Sequence, residues 1–476
     1  MAVVGAVLVG TAGCGASASS TTSTTGSSST SGTSGASPSS VSTASTSTRG
    51  VTADSINVVF PVVSLSSLAG QEGFASDPEY AEQTKAINFY VKQVNDAGGI
   101  NGRKINPIIT TFDPTNESEM RALCKTWTEG SPAAFAVLDG IGDWTGDDQL
   151  CITQEGHTPF IGAWSTVTNW TNQGSPYLWW TGPDDAVILQ AVVNWGLSAH
   201  LIGGAVKVGV ITGDRASDQA ALNQYLLPDL RNAGITPVVK TIAADPSETA
   251  TTDTQSPLVI QQLRSAGVTS IIPLIPFNVF YPVLQAETSQ NYFPKLLLSD
   301  YEESIESALG LIPIPYEKAL DGQEGLTTQT LGGGTTYSNY TGPLGYDPGV
   351  KACWTPWHKA YPQNAQGATT DYIEQQGPIV GWCQAITLFA KAAKAAGPDL
   401  NRRTFVTAMS KITNFPGTSS PILSYGPDKR YGPTLFKIVK LHNNVPPSSA
   451  CQLTSQSKAQ GTCWTTVQPF EPLPTG

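Results

Sequence analysis

The sequence predicts an α/β protein with parallel sheets, and three observations carry that prediction. Short β-branched apolar runs alternate with amphipathic stretches of helical period, glycines stand where those stretches end, and the turns after the apolar runs are polar. The chain has 476 residues, and because a single core rarely grows beyond ~250–300 residues, more than one lobe is expected.

The first unit opens with Ser55 to Val63, a continuous apolar run followed by the polar turn Ser64-Leu65-Ser66-Ser67. Across Ala81 to Ala97, the residues Ile87, Tyr90, Val91 and Val94 fall at i, i+3, i+4 and i+7, one stripe of a helix. Gly98-Gly99 stops it, since glycine takes the left-handed conformation that closes a last turn. Asn101-Gly102 then turns the chain into a strand at Lys104 to Phe112, completing a β-α-β unit with parallel strands and a right-handed crossover. Further strands are expected at 133–138, 159–163, 206–211, 237–242, 270–274 and 295–298, with helices at 220–233 and 258–266 among them. Ligands of such sheets sit beyond the carboxyl ends of the strands, so binding residues are sought in the turns that leave them.

The first 50 residues stand apart from this pattern. Met1 to Gly13 is small and apolar, too short for the ~20 residues a bilayer span needs, and reads as an export signal. The segment Thr11-Ala12-Gly13-Cys14 resembles a bacterial lipobox, with Thr11 where Leu is usual, and marks Cys14 as the lipidated first residue of the mature chain. Residues 14–50 are nearly all Ser, Thr, Gly and Ala, a composition that buries too little apolar surface to order itself. As a coil this linker spans roughly 30 Å. The expectation is a head anchored to a membrane through lipid, not a spanning protein.

Lys+Arg number 26 against 37 Asp+Glu, a net charge of −11, which argues against nucleic acid and anionic membrane surfaces as partners. With Cys14 set aside, the remaining cysteines form three sequence-local pairs: Cys124 with Cys151, Cys353 with Cys383, and Cys451 with Cys463. An even, widely spaced set suits an oxidising compartment, although spacing alone leaves other connectivities open. The four histidines are scattered, and no C-x-x-C, G-x-S-x-G, phosphate loop or HExxH occurs, so no metal, cofactor or catalytic residue is expected. Trp354, Trp357 and Trp382 lie in helical patterns around Cys353 and Cys383 and read as core.

The stretch Ala86 to Ile105, with N-x-x-G-G-I-x-G at Asn95 to Gly102 and Asp113-Pro114 after the next strand, resembles the first helix and turn of type I periplasmic solute-binding proteins of the branched-chain amino acid transporter group. Gly156 to Ile161, Leu263 to Gly267 with Ser270-Ile271-Ile272, and Pro421 to Arg430 are similar to later segments of that family, so the likeness covers about residues 54 to 445. It implies two Rossmann-like lobes with parallel sheets, joined by three hinge crossings near Trp180–Gly182, Gly325–Thr328 and Leu423–Tyr425. Lobe 1 is then 51–181 and 327–423, lobe 2 is 182–326 and 424–450, and 451–476 is a tail without a counterpart. Relatives also support the pairing of Cys124 with Cys151.

The resemblance implies ligand contacts in the turns after the third and fourth strands. Here those turns supply Asp143 and Trp144, and then Trp164, Ser165 and Thr166. Asp143 opposes an α-carboxylate unless its side chain points outward, and Ser165 and Thr166 serve equally as helix caps. Ser64 and Ser66 complete the set from lobe 1. Lobe 2 offers Arg215 and Ser217 where relatives place an aromatic, then Phe277 with Asn278, and Asp300 with Tyr301. Arg215 can grip an anion or pair with Asp214 or Asp218; Asp300 can meet a ligand ammonium or cap a helix.

The expected protein is an extracytoplasmic, monomeric substrate-binding lipoprotein of an ABC importer, held at the bacterial cell surface or in the periplasm. It captures a small amino-acid-like solute between its lobes and passes it to the permease subunits. The alternative is a ligand-sensing receptor module of the same fold coupled to a signalling partner. A cell-surface enzyme, the third class, has no motif in its favour.

Overall fold

The computed structural model describes residues 44–64, 80–113, 116–140, 148–163, 167–245, 248–301, 317–329, 348–362, 377–442 and 463–474. Its first sheet is built from β1 (Ser55–Val63), β2 (Lys104–Phe112), β3 (Ala136–Asp139), β4 (Phe160–Gly162) and β5 (Leu178–Trp180). The order is β2-β1-β3-β4-β5, and every pairing is parallel. Between these strands run α1 (Tyr80–Asp96), α2 (Glu117–Glu129), α3 (Asp148–Leu150) with a π turn at Cys151–Glu155, and α4 (Thr168–Gln173).

The helical stripe read from the sequence is the face that α1 buries: Ile87, Tyr90 and Val91 lie in the core, with Val94 packed against it. Gly99 closes the helix at φ 68°, where an added Cβ would stand 2.1 Å from the Arg103 carbonyl oxygen. That contact leaves glycine as the residue the turn accepts.

The second lobe follows with α5 (Asp185–Ser198), β6 (Val208–Gly213), α6 (Ala216–Ala221), a π turn at Leu222–Leu226, α7 (Leu227–Asn232) and β7 (Val238–Ile242). It continues through α8 (Thr249–Ser265), β8 (Ser270–Leu274), α9 (Phe277–Ser289), β9 (Lys295–Ser299), α10 (Glu317–Leu320) and β10 (Glu324–Thr327). The chain then returns to the first core with α11 (Pro348–Ala360), α12 (Gly377–Ala395), α13 (Arg402–Met409) and the short pair β11 (Phe415–Pro416) and β12 (Ile422–Leu423). Finally β13 (Leu435–His442) and β14 (Cys463–Pro472) complete a second sheet of order β14-β13-β10-β9-β8-β6-β7. One core fills the first lobe, and two others cover the faces of the second sheet.

The structure departs from the sequence reading in several places. The second sheet is parallel from β7 through β10, but β13 runs antiparallel to β10 and β14 antiparallel to β13. The segment read as a tail therefore supplies an edge strand, since Trp464, Thr465 and Thr466 find a ladder in β13. Helix α8 begins at Thr249, well before Leu258, and passes through Pro257. Pro257 and Asp253 both sit on its exposed side, where solvent replaces the bond that proline cannot donate.

The linker also ends earlier than its composition suggests. Ala44 is buried, Ser45 N donates to Tyr177 Oη at 2.6 Å, and the Ala44 and Ser47 carbonyls accept from Arg403 and Arg402. Residues 44–50 thus pack on the first lobe because backbone bonding to distant arginines supplies what their side chains lack.

Disulfides join Cys124 to Cys151 and Cys353 to Cys383, as their proximity suggested. Cys14 and Cys451 lie outside the described residues. No helix among the described residues is long and apolar enough to cross a membrane.

Candidate functional site

Three chain segments pass between the lobes, and they are bonded to one another. Trp180 N donates to the Arg430 carbonyl at 2.8 Å, and Tyr425 Oη donates to the Trp180 carbonyl at 3.0 Å. Ser420 Oγ donates to the Thr328 carbonyl at 2.7 Å, bringing in the crossing that follows β10. Beside them Lys429 Nζ donates to the carbonyls of Ser424, Tyr431, Gly432 and Pro433. Burial pulls its pKa down to about 7 against the attraction of Asp184. Arg430 donates to the Pro176 carbonyl at 2.8 Å and lies 4.4 Å from the Trp179 ring centre, with burial lowering its pKa to about 10. Both side chains are committed to the backbone carbonyls and rings around the crossings.

The described ends of the first-lobe strands carry their own contacts. Ser64, half-buried, follows β1 and donates its N–H to the Phe112 carbonyl at 2.9 Å. After β3, a Cβ on Gly140 would meet the Trp382 ring at 2.5 Å, so this buried tryptophan of α12 underlies the end of β3. Trp354 and Trp357 are buried as well, in agreement with their reading as core.

In the second lobe Arg215 reaches Asp218 with a bidentate pair, Nε to Oδ2 and Nη2 to Oδ1, both 2.8 Å. Tyr301 Oη donates to the same Asp218 Oδ1 at 2.7 Å. The Tyr301 ring is fully buried, so it packs in the core instead of walling a cleft. Ser217 is buried in the first turn of α6, and Phe277 and Asn278 open α9 directly after β8.

Asp300, at the end of β9, accepts from Thr328 N and Oγ1 at 2.7 Å each through Oδ2. Its role is therefore to join β9 to the crossing after β10, which differs from a helix cap. The other oxygen, Oδ1, has no hydrogen-bond partner among the described residues. Burial raises the Asp300 pKa, opposed by Thr327, Thr328 and Lys437. Ser66, Asp143, Trp144, Trp164, Ser165 and Thr166 lie outside the described residues.

A cluster that the sequence reading missed lies where α4 meets the second lobe. Asp184 caps α5 by accepting from Ala186 N at 3.1 Å, and it also accepts from Thr168 Oγ1. Burial raises its pKa to about 6, opposed by bonds from Thr168, Ala186 and Thr171 and by Lys429. Thr168 Oγ1 also accepts from Ala186 N at 3.1 Å. Asp184-Asp185-Ala186 before an apolar run carries a legible cap signal, whereas the link to Thr168 has none.

Among the described residues no group of His, Cys, Asp and Glu is placed to hold a metal ion. The described residues thus bring buried carboxylates and bonded backbone groups together around the crossings between the lobes.

No curated protein sequence matches the chain. Among solved structures, a fatty acid ABC transporter substrate-binding protein from Thermomonospora curvata is similar at 18% identity and TM-score 0.58, covering 89% of this chain and 93% of that one. An ABC transporter substrate-binding protein from Desulfitobacterium hafniense, in complex with Leu, is similar at 14% identity and TM-score 0.55, covering 81% and 97%. A solute-binding protein of an ABC transporter from Rhodopseudomonas palustris, in complex with 3,4-dihydroxybenzoic acid, has 14% identity and TM-score 0.58, covering 88% and 98%. The family described as periplasmic binding protein matches residues 73–441, and over that length, with this two-lobed α/β architecture, the chain belongs to the type I periplasmic binding proteins.

Proposed function

We propose that the protein is the substrate-binding component of an ABC importer and captures a small amino-acid-like solute between its lobes without altering it. One observation carries the reading. The three crossings between the lobes are bonded together, through Tyr425 to Trp180 and Ser420 to Thr328. Such a seam lets the lobes close as rigid bodies on a guest held by strand-end groups.

The charges favour a solute that carries an ammonium. Arg215 is committed to Asp218, while Asp300 keeps one buried oxygen without a partner among the described residues. Asp300, which also feels the attraction of the buried Lys437, is the carboxylate proposed to meet that ammonium. Ser64 and the turns after β3 and β4, with Asp143, Trp144, Trp164, Ser165 and Thr166, are proposed to complete the contacts. Ser217, Phe277 and Asn278 are proposed to contribute from the second lobe.

A thermal-shift screen of the purified head against amino acids, amides, short peptides, sugars, polyamines and hydroxybenzoates tests this, because a ligand that binds only the native state raises the midpoint. A rise with amino acids supports the reading. A rise with hydroxybenzoates alone overturns the solute class, and loss of added solute to a product overturns capture without turnover.

We further propose that Cys14 carries lipid and that the mature protein is a monomer outside the cytoplasm, tethered near its permease. Replacing Cys14 with Ser is expected to move the protein from the membrane fraction to the soluble one.

A further inference from the structure

The last crossing between the lobes runs from β12 to β13, and a single ammonium sits inside its turn. Lys429 Nζ donates to the carbonyls of Ser424 at 2.6 Å, Tyr431 at 2.7 Å, Pro433 at 3.1 Å and Gly432 at 3.2 Å. It also stands 4.0 Å from the centre of the Tyr431 ring. An ammonium has three protons, so these acceptors saturate it, the two longer contacts sharing one proton. Converging carbonyl oxygens repel one another unless a cation lies between them, and here the chain supplies that cation itself.

The acceptors come from both sides of the crossing. Ser424 lies between Leu423 and Tyr425, which are buried in the core of the first lobe. Tyr431 packs against a core of the second lobe, and Gly432 and Pro433 lead into β13. The same turn meets the first crossing, because Trp180 N donates to the Arg430 carbonyl at 2.8 Å and Tyr425 Oη to the Trp180 carbonyl at 3.0 Å. Whatever fixes residues 424–433 therefore fixes two of the three connections between the lobes.

We propose that Lys429 is a positioning residue for solute capture: its ammonium gathers the carbonyls of Ser424, Tyr431, Gly432 and Pro433 into one rigid turn and so sets the angle at which the lobes face each other. The proposal rests on the cleft reading above. Lys429 acts through the backbone it gathers, not by contact with solute. Without the ammonium the carbonyls separate and the crossing samples more angles. Apparent affinity then falls with the fraction of molecules still competent to bind.

The experiment uses the mature protein with its disulfides intact, at pH 6, below the value of about 7 to which burial pulls the Lys429 pKa. Nitroxides on unnatural amino acids at the exposed positions Asn88 and Gln261, one in each lobe, report the interlobe distance by double electron–electron resonance. Calorimetry reads binding of L-leucine. Lys429→Ala is expected to broaden the distance distribution and to weaken L-leucine binding about ten-fold, the ratio for one charge-assisted hydrogen bond. Propylammonium is the part of the side chain that alanine lacks. It is expected to enter the vacated cradle, since Lys429 is only half-buried, and to restore the wild-type distribution. 1-Propanol, similar in shape but uncharged, is expected to restore nothing.

An unchanged distribution in a folded Lys429→Ala protein overturns the proposal, as does any result in which propylammonium restores no more than 1-propanol does. Should Lys429→Ala fail to fold, Lys429→Met decides by the same distances, because it keeps most of the stem and lacks the charge. If neither variant folds at any propylammonium concentration, the lysine serves the whole fold and the proposal falls. Failure of L-leucine to bind the wild-type protein counts against the amino-acid reading, while the distances still judge the turn.

Discussion

Tyr425 gives its hydroxyl proton to the Trp180 carbonyl at 3.0 Å, which bonds the last crossing of the chain to the first. The Tyr425 ring meets Trp179 edge-on at 5.8 Å and is buried, and burial pushes its phenol pKa upward, so the proton stays where the bond needs it. Tyr425→Phe keeps the ring but leaves a buried carbonyl without this donor. Its cost is expected to be about 1–2 kcal/mol by urea unfolding. A loss near zero would mean that the hinge is held by packing alone.

Arg215 and Asp218 form a pair in which the carboxylate has no exposed surface and the arginine keeps about a quarter of its own. Removing the cation strands a buried charge, with Tyr301 as its remaining donor among the described residues. Arg215→Met is expected to lower stability by about 2–4 kcal/mol, and adding Asp218→Asn to recover part of that loss. Solute affinity should stay within about two-fold of wild type if the guanidinium serves the fold; a ten-fold drop in a folded variant would return Arg215 to the ligand.

Glu287 sits fully buried in α9 with neither carboxyl oxygen hydrogen-bonded among the described residues, and burial raises its pKa well above the usual carboxylate value. The folded state therefore keeps a proton that the unfolded chain releases above its own pKa, ~4.3–4.5. Stability from this group is complete below that point and falls as pH rises toward the folded pKa. Glu287→Leu removes the dependence, so its stability relative to wild type should grow from pH 4 to pH 8 by about 1–3 kcal/mol. A difference that does not change with pH would refute the assignment.

The two disulfides close loops of similar length, with sequence separations of 27 and 30. Chain-entropy estimates give each about 3.5 kcal/mol. Replacing Cys124 and Cys151 together by Ser should lower the unfolding free energy by roughly that amount. The same change at Cys353 and Cys383 should do likewise, with added loss if the Trp354 and Trp357 packing loosens.

Much of the fold was legible before any coordinates. The run Ser55–Val63, the stripe Ile87, Tyr90 and Val91, and the Gly98-Gly99 stop reappear as β1, the buried face of α1 and its cap. These are local patterns, set by side-chain period and by the backbone freedom of glycine. The start of α8 was hidden because Pro257 reads as a breaker, and β14 because a partner strand must exist before an edge strand has meaning.

The site was less legible. Arg215 and Asp218 stand three residues apart on one helical turn, so their pairing could be weighed from sequence. Asp300 and Thr328 are 28 residues apart, and Tyr425 reaches back 245 residues to Trp180. No local pattern records such meetings.

By itself, then, the sequence determined an alternating α/β chain with its helices, stops and strand-end turns, since these follow from neighbours within a few residues. Tertiary structure alone decided which buried charges meet, that Thr168 bonds Asp184, and that Tyr425 ties the last crossing to the first. Those contacts depend on two lobes being brought together by distant crossings, and the energy of each belongs to a pair that exists only after the chain has folded.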